Sequence, residues 1–293
     1  MTRRRRSRTV ALAVGATLIG TLILAPSAFA NFITPKTGGS PNADQIDALY
    51  KIILYIAAVV FVIVEGALAY SVYKFRAKKN PVAAQIHGNT RLEIGWTVAA
   101  ALILVVLTVV TFVKLPSIIN APNSDADGLV LSASTTEPNP PSGHKYVICV
   151  QGRQYFWRYT YGAGCVNSAF ADKLPYSYTT MYVPAHTTVV LKIQSTDVIH
   201  SWWIPSLGGK VDAVPGYTTY TWFKTAKTNA RYRGQCAQLC GVNHAAMIAF
   251  VQTLTPANFQ SWLKYQENAI NTANDQVSQL RQVLTSSGNL GNS

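Results

Sequence analysis

The chain has 293 residues, 49% of them hydrophobic and 13% charged, against about 25% charged in an average soluble protein. With a mean hydropathy of +0.15, this shortage of charge excludes a disordered chain and an ordinary cytosolic enzyme, and points to membrane segments carrying one outside domain. The net charge of +13 is no nucleic-acid footprint, because it is not a basic stripe on a folded face.

Five bases (Arg3, Arg4, Arg5, Arg6, Arg8) open the chain, and five more (Lys74, Arg76, Lys78, Lys79, Arg91) fall between two apolar runs. From Ser117 onward there are 12 Lys and Arg against 8 Asp and Glu. Charge placed beside apolar runs orients a chain in a membrane.

Residues 1–30 read as a secretory signal: an Arg-rich start, an apolar stretch from Val10 to Leu24, and the small-x-small site Ala28-Phe29-Ala30. A first transmembrane helix is the competing reading, but the stretch is short for a span and Pro26 ends it. A Gly/Pro/Asn-rich segment follows. Ile52 to Tyr73 then gives 22 residues interrupted by one charge, Glu65, and Ile94 to Val113 gives 20 with none. Each is long enough to cross a hydrocarbon core of about 30 Å. Cleavage after Ala30 would leave the new N-terminus outside, so the basic loop between the spans faces the cytoplasm, as the Lys/Arg bias requires. Glu65 would be costly against lipid and is expected to face protein, neutralised against a partner helix.

A Pro-rich polar linker leads to short aromatic and β-branched runs: Tyr146–Val150, Tyr155–Tyr161, Thr187–Ile193, Tyr217–Phe223 and Ile248–Thr253. Their spacing predicts an all-β sandwich or barrel of about 110 residues. Thr255-Pro256 reads as an N-cap with proline at the first helical position, opening a helix to about Leu284 with a disordered tail beyond.

The chemistry concentrates in Gly234-Gln-Cys236-Ala-Gln-Leu-Cys240-Gly-Val-Asn-His244-Ala-Ala-Met247, with His200 upstream in Asp197-Val-Ile-His200-Ser-Trp202. Soft thiolate and thioether ligands select copper, and Cys plus His with a weak axial Met is an electron-transfer pattern. A mononuclear blue site needs one Cys; the second permits two sulfur bridges and so two copper ions. Zinc would leave Met247 unused. A Cys236–Cys240 disulfide would leave both His244 and Met247 unused. Haem attachment needs C-x-x-C-H, which is absent.

These residues give the chain its resemblance to subunit II of haem–copper cytochrome c oxidases, from about residue 45 to residue 265. Further pieces are Leu92-Glu93-Ile-Gly-Trp96 and Gly209-Lys210-Val-Asp212-Ala-Val-Pro215-Gly216. The resemblance implies a dinuclear copper centre, CuA, in which Cys236 and Cys240 bridge, His200 and His244 each bind one ion, and Met247 and the backbone carbonyl of Gln238 are weak axial ligands. It implies electrons arriving from a c-type cytochrome by way of Tyr155, Trp157 and Trp202, and leaving through His244 to haem in subunit I. There oxygen is reduced and protons are pumped; this chain holds no haem and reduces no oxygen by itself.

The implied organisation is a signal peptide (1–30), an outer N-terminal segment (31–45), a two-helix transmembrane hairpin (46–116), a linker (117–145), an all-β cupredoxin-like sandwich carrying the copper (146–255), and a C-terminal helix with a disordered tail (256–293). The expected setting is a bacterial plasma membrane with the copper domain on the outer face, beside subunit I and other oxidase subunits. No nucleic acid is expected.

Secondary features carry two readings each. Glu93, at the cytoplasmic mouth of the second span, is either the entrance of a proton path or a helix-start carboxylate favoured by the dipole. Cys149 and Cys165 are either bridged or two buried thiols. Lys210 and Asp212 read either as a partner contact or, as expected, as a structural pair that holds the loop under the copper. His87, His144 and His186 are expected to be solvated or hydrogen-bonded. Many resembling oxidases have Glu at the position of Gln238, where it helps hold magnesium; a neutral amide is a poorer ligand, so no tightly held magnesium is expected. Tyr155 stands where the family has Trp, and Thr160 where it has an acid. An apolar or weakly charged docking surface around Tyr155 and Trp202 is therefore expected, or else a donor tethered in a larger complex.

Overall fold

The computed structural model describes residues 34–76, 82, 85, 87–125, 127, 145–162 and 174–286. The expected signal, most of the basic loop, His144, Cys165 and the expected tail lie outside the described residues.

Helix α1 runs Pro41–Lys74 and α2 runs Thr90–Ile119. At 1.5 Å per residue α1 is about 50 Å long, more than a hydrocarbon core requires. The apolar stretches of both helices are left unburied by the rest of the chain, which fits lipid or other membrane subunits as their solvent. α1 begins well before the apolar run at Ile52, because Pro41 is preorganised for a first helical turn and that turn is fastened to the β domain. The Asn42 side chain donates to the Trp222 carbonyl at 2.7 Å, and Ser40 Oγ accepts from Lys224 N at 3.1 Å. Lys114 Nζ near the end of α2 donates to Gln45 Oε1 near the start of α1 at 3.1 Å, so the pair is an antiparallel hairpin. Trp222 Nε1 donates to the Ile118 carbonyl at 2.9 Å, anchoring the second helix to the same strand.

Glu65 is exposed on α1 and has no partner among the described residues. The expected neutralising helix is therefore not α2.

Among the described residues the β domain has ten strands: β1 Lys145–Arg153, β2 Phe156–Tyr161, β3 Tyr176–Tyr178, β4 Thr180–Pro184, β5 Thr188–Ser195, β6 His200–Trp202, β7 Val211–Ala213, β8 Thr219–Lys224, β9 Arg231–Gln235 and β10 Ile248–Leu254. They form a five-stranded sheet in the order β3-β2-β1-β5-β8, a three-stranded sheet β4-β10-β9, and the pair β6-β7. β1 and β2 are antiparallel, with Arg153 opposite Phe156 across a two-residue turn, whereas β1 and β5 are parallel. The core is filled from one sheet by Ile148, Val150, Trp157, Tyr159, Leu191 and Ile193, and from the other by Met181, Val183, Ala249 and Val251.

Register decides where the loops meet. Gly152 pairs with Ser195 at the end of β5, and Gln235 pairs with Ile248 where β9 hands over to β10. The β1–β2 turn, the β5–β6 loop and the β9–β10 loop thus gather at one end of the sandwich. The opposite end is closed by α3, Pro256–Ser286. Thr255 Oγ1 caps it by accepting from Asn258 N at 3.2 Å. Phe259 stands edge-on to Tyr146 with centroids 5.3 Å apart, and Trp262 packs on Tyr161 and Tyr182 at 4.9 and 4.8 Å.

Cys149 is disulfide-bonded, so its reading as a buried thiol does not hold; Cys165 lies outside the described residues.

Candidate metal centre

His200 opens β6, and the other expected ligands lie in the β9–β10 loop. Ala237 N donates to the Ser201 carbonyl at 2.9 Å, joining the loop to β6, and Cys236 N donates to the Met247 carbonyl at 2.8 Å, closing the loop on itself. A short 3₁₀ turn, His244–Ala246, folds His244 back toward the thiols.

The six expected donors come together in two halves. Cys236 Sγ lies 3.9 Å from His200 Nδ1 and 3.3 Å from the Gln238 carbonyl oxygen. Cys240 Sγ lies 3.5 Å from His244 Nδ1 and 3.9 Å from Met247 Sδ. The two sulfurs are 4.0 Å apart and both cysteines are free, a separation about twice that of a disulfide. His200, Cys236, Cys240 and Met247 are buried, while His244 is half-buried.

Electrostatics favour a cation between the sulfurs. Burial alone would raise the Cys236 thiol, but the His200 hydrogen bond and backbone contacts at Gln238 and Ser201 outweigh it and bring it down to about 6. Burial and the charge on Cys236 push Cys240 up to about 11. One thiolate resists the other at this distance, and a soft metal bound to both removes the conflict. Two sulfurs, two imidazole nitrogens, a thioether and a carbonyl form a donor set suited to copper.

Around these ligands the structure places the other expected residues unevenly. Trp157 is buried edge-on against His200, with centroids 5.8 Å apart. Tyr155 is half-buried over the ligand loop; a Cβ built on Gly241 would lie 2.5 Å from its hydroxyl. Trp202 is only 2% exposed and stacks on Phe223, so it is a core residue and takes no part in a docking surface. Sequence reasoning passed over Leu239 and Val242, which are 78% and 94% exposed within the ligand loop. Their signal was present as large apolar residues between polar ligands.

Asp197 holds His200 from outside, with Oδ1 2.8 Å from Nε2. Burial opposes ionisation of Asp197, but hydrogen bonds from Gln154 N, His200 and Val198 N hold its carboxyl below the usual value. A carboxylate behind a ligand imidazole fixes its tautomer and orientation.

Glu93 is exposed in the first turn of α2. Its Oε1 accepts from Asn89 N at 3.1 Å while Asn89 Oδ1 accepts from Leu92 N at 3.2 Å, a reciprocal helix cap. Lys210 and Asp212 do not pair: Lys210 lies over the Trp203 ring at 5.7 Å, and the Asp212 carbonyl accepts from Thr219 Oγ1 at 2.6 Å. His186 Nδ1 sits 3.7 and 3.5 Å from carboxylate oxygens of Asp125 and Asp127, and His87 is exposed.

The sequence matches the family "Cytochrome C oxidase subunit II, periplasmic domain" over residues 146–254 and "Cytochrome C oxidase subunit II, transmembrane domain" over residues 30–113. It is 31% identical over 266 residues to a probable cytochrome c oxidase subunit 2 of Rickettsia bellii (strain RML369-C), covering 84% of this chain and 90% of that one. It is 30% identical over 266 residues to cytochrome c oxidase subunit 2 of Cereibacter sphaeroides, covering 78% and 81%. The solved periplasmic domain of subunit II of cytochrome oxidase (CoxB) of Bradyrhizobium japonicum is 28% identical, with 43% of this chain and 95% of that one covered and a TM-score of 0.38. With its two apolar helices, its β domain and this donor set, the chain belongs to the cytochrome c oxidase subunit II family.

Proposed function

We propose that this oxidase subunit takes electrons one at a time from a c-type cytochrome at a dinuclear copper centre and passes them to haem in subunit I. The observation that carries the reading is the division of donors around two free thiols 4.0 Å apart. Each thiol has its own imidazole and its own weak donor. Cys236, His200 and the Gln238 carbonyl would serve one ion; Cys240, His244 and Met247 would serve the other. Held there by Cys236 and Cys240, two coppers would supply one-electron chemistry with little rearrangement on each transfer.

The protein's part is to keep this environment dry and rigid. Trp157 and Trp202 exclude water from beneath the ligands, both being buried. Above them, Tyr155, Leu239 and Val242 form an apolar rim suited to a docked donor. The acid beside this rim, Asp197, is taken up by His200 and by Gln154 N, which supports weak rather than charge-steered docking, or a donor tethered in a larger complex. His244, half-buried at the far side of Cys240, is the proposed exit toward subunit I. The Gln238 side chain is exposed and offers a neutral amide, so magnesium is not expected to be held tightly there. The Lys/Arg bias of the stretch between α1 and α2 supports a cytoplasmic loop and a copper domain on the outer face.

The test is rapid mixing of the intact oxidase with a prereduced c-type cytochrome. A first phase of copper reduction should precede haem reduction, and Cys240→Ser should remove that phase, since a hydroxyl cannot bridge soft copper. A Cys240→Ser oxidase with two coppers and unaltered electron uptake would overturn the assignment.

A further inference from the structure

We infer that Gln154, in the two-residue turn between β1 and β2, is a positioning residue that braces the two halves of the metal centre against each other. The inference rests on the copper reading above and extends it to a third segment of chain. The ligands come from the start of β6 and from the β9–β10 loop, and Gln154 is bonded to the β5–β6 loop that leads into the first and to the second. Its backbone N–H donates to Asp197 Oδ2 at 2.7 Å, while the other oxygen of that carboxylate meets His200 Nε2 at 2.8 Å. Its side-chain amide donates to the backbone carbonyl of the ligand Cys240 at 2.6 Å. One residue therefore ties the orientation of His200 to the position of Cys240.

Two glycines show that the loops are shaped to seat this turn. Gly241 follows Cys240 with φ +132°, and a Cβ there would lie 2.9 Å from Gln154 Nε2 and 2.5 Å from the Tyr155 hydroxyl. A larger residue would lift the ligand loop off the brace, and its side chain would be strained in that conformation. On the other flank, a Cβ on Gly152 would lie 2.9 Å from His200 Cδ2. The β1–β2 turn is thus close-packed, at these two glycines, against the segment bearing His200 and the segment bearing Cys240.

This packing matters because two thiolates could share an electron between two ions only while the two halves of the site keep their spacing. The His200–Cys236 half is fixed by β6 and by Asp197. The Cys240–His244 half sits in a loop whose tips, Leu239 and Val242, are exposed. The Gln154 amide supplies a fixed donor to that half from the rigid sheet. Without it Cys240 would sample several positions, and the unpaired electron would lie unequally on the two ions.

The experiment uses the full chain in its oxidase, with Gln154→Leu removing the donor and Gln154→Glu setting a carboxylate oxygen against the Cys240 carbonyl. Both variants should retain two coppers. The electron paramagnetic resonance spectrum should change from one delocalised pattern to a broadened or unequal one, and the midpoint potential should shift. Copper should be lost to a chelator roughly tenfold faster, the scale of one hydrogen bond. Hydrogen–deuterium exchange on the metal-free full chain supplies a second arm: residues 238–244 should exchange faster in both variants, and residues 188–193 should not.

Spectra, potential and exchange all matching wild type would overturn the brace. A wild-type chain holding one zinc would defeat the copper reading instead, and the exchange arm would still decide whether Gln154 fixes the loop.

Discussion

Gly152→Ala is the sharpest single perturbation the structure offers. The added methyl would stand 2.9 Å from His200 Cδ2, 3.1 Å from His200 Cγ and 3.1 Å from Trp157 Cζ3. Relaxed carbon contacts lie at about 3.5–4.0 Å, so something must move by about 0.5–1 Å. Strand β1 cannot retreat easily, because Gly152 is paired on one side to Trp157 and on the other to Ser195. The imidazole is the part that gives. Overpacking of this kind costs about 1–3 kcal/mol. Alanine also restricts the unfolded chain, which offsets about 0.4–1 kcal/mol, so the net sign is destabilising. A domain of this size loses roughly 4 °C in Tm per kcal/mol. The assay is thermal unfolding of the full chain, copper-loaded and metal-free, with a copper titration alongside. Because the clash falls on a ligand, the loaded form should lose more Tm than the metal-free form, and copper should bind more weakly. Gly95→Ala, where nothing lies within 4 Å, is the control and should leave copper binding unchanged. Equal Tm and equal copper binding in Gly152→Ala and wild type would refute the packing described around His200.

Other expectations follow from the same geometry. Met247→Leu keeps core volume at a fully buried position 3.9 Å from Cys240 Sγ, so stability should fall by less than about 1.5 kcal/mol while the midpoint potential shifts; an unchanged potential would remove Met247 from the ligand set. Phe259→Ala empties the aromatic closure between α3 and the sandwich, where Phe259 is fully buried, and should cost about 3–5 kcal/mol in denaturant unfolding. Asp197 has its pKa lowered from 3.8 in the folded chain, so its contribution to stability is complete above that value and is lost as pH falls through the lowered one. Asp197→Asn should therefore flatten the acid limb of the metal-free unfolding curve below about pH 4, and an unaltered limb would contradict the pairing with His200. Leu239→Ser combined with Val242→Ser should slow oxidation of the native donor while leaving copper content intact. In the wild-type oxidase that rate should vary little between low and physiological salt, whereas a collapse would mean that charge steering dominates.

Much of the site is legible in the sequence, because soft ligands at fixed spacing admit few chemistries. Cys236, Cys240, His244 and Met247 share one loop, and any fold that closes this loop brings them together. The two spans were equally legible, since a long apolar run with basic flanks has one stable solution. Less visible were features set by tertiary contact. The early start of α1 depends on Asn42 meeting Trp222 and Ser40 meeting Lys224, contacts across most of the chain. Strands β3, β6 and β7 have three residues each, too few for a periodic signal. Trp202 alternates with Ser201 and Trp203, and only the pairing of β6 with β7 decides which indole turns inward. Lys210 and Asp212 looked like an ion pair on spacing alone. Strand register instead sends the lysine to the Trp203 ring and leaves Asp212 bonded through its backbone.

Metal analysis of the purified full-length chain, with electron paramagnetic resonance of the same sample, tests the central claim most directly. Two coppers per chain with a single unpaired electron spread over both ions is the result expected from two free thiols 4.0 Å apart, each with its own imidazole. One zinc per chain, or copper whose unpaired electron is confined to a single ion, would contradict it.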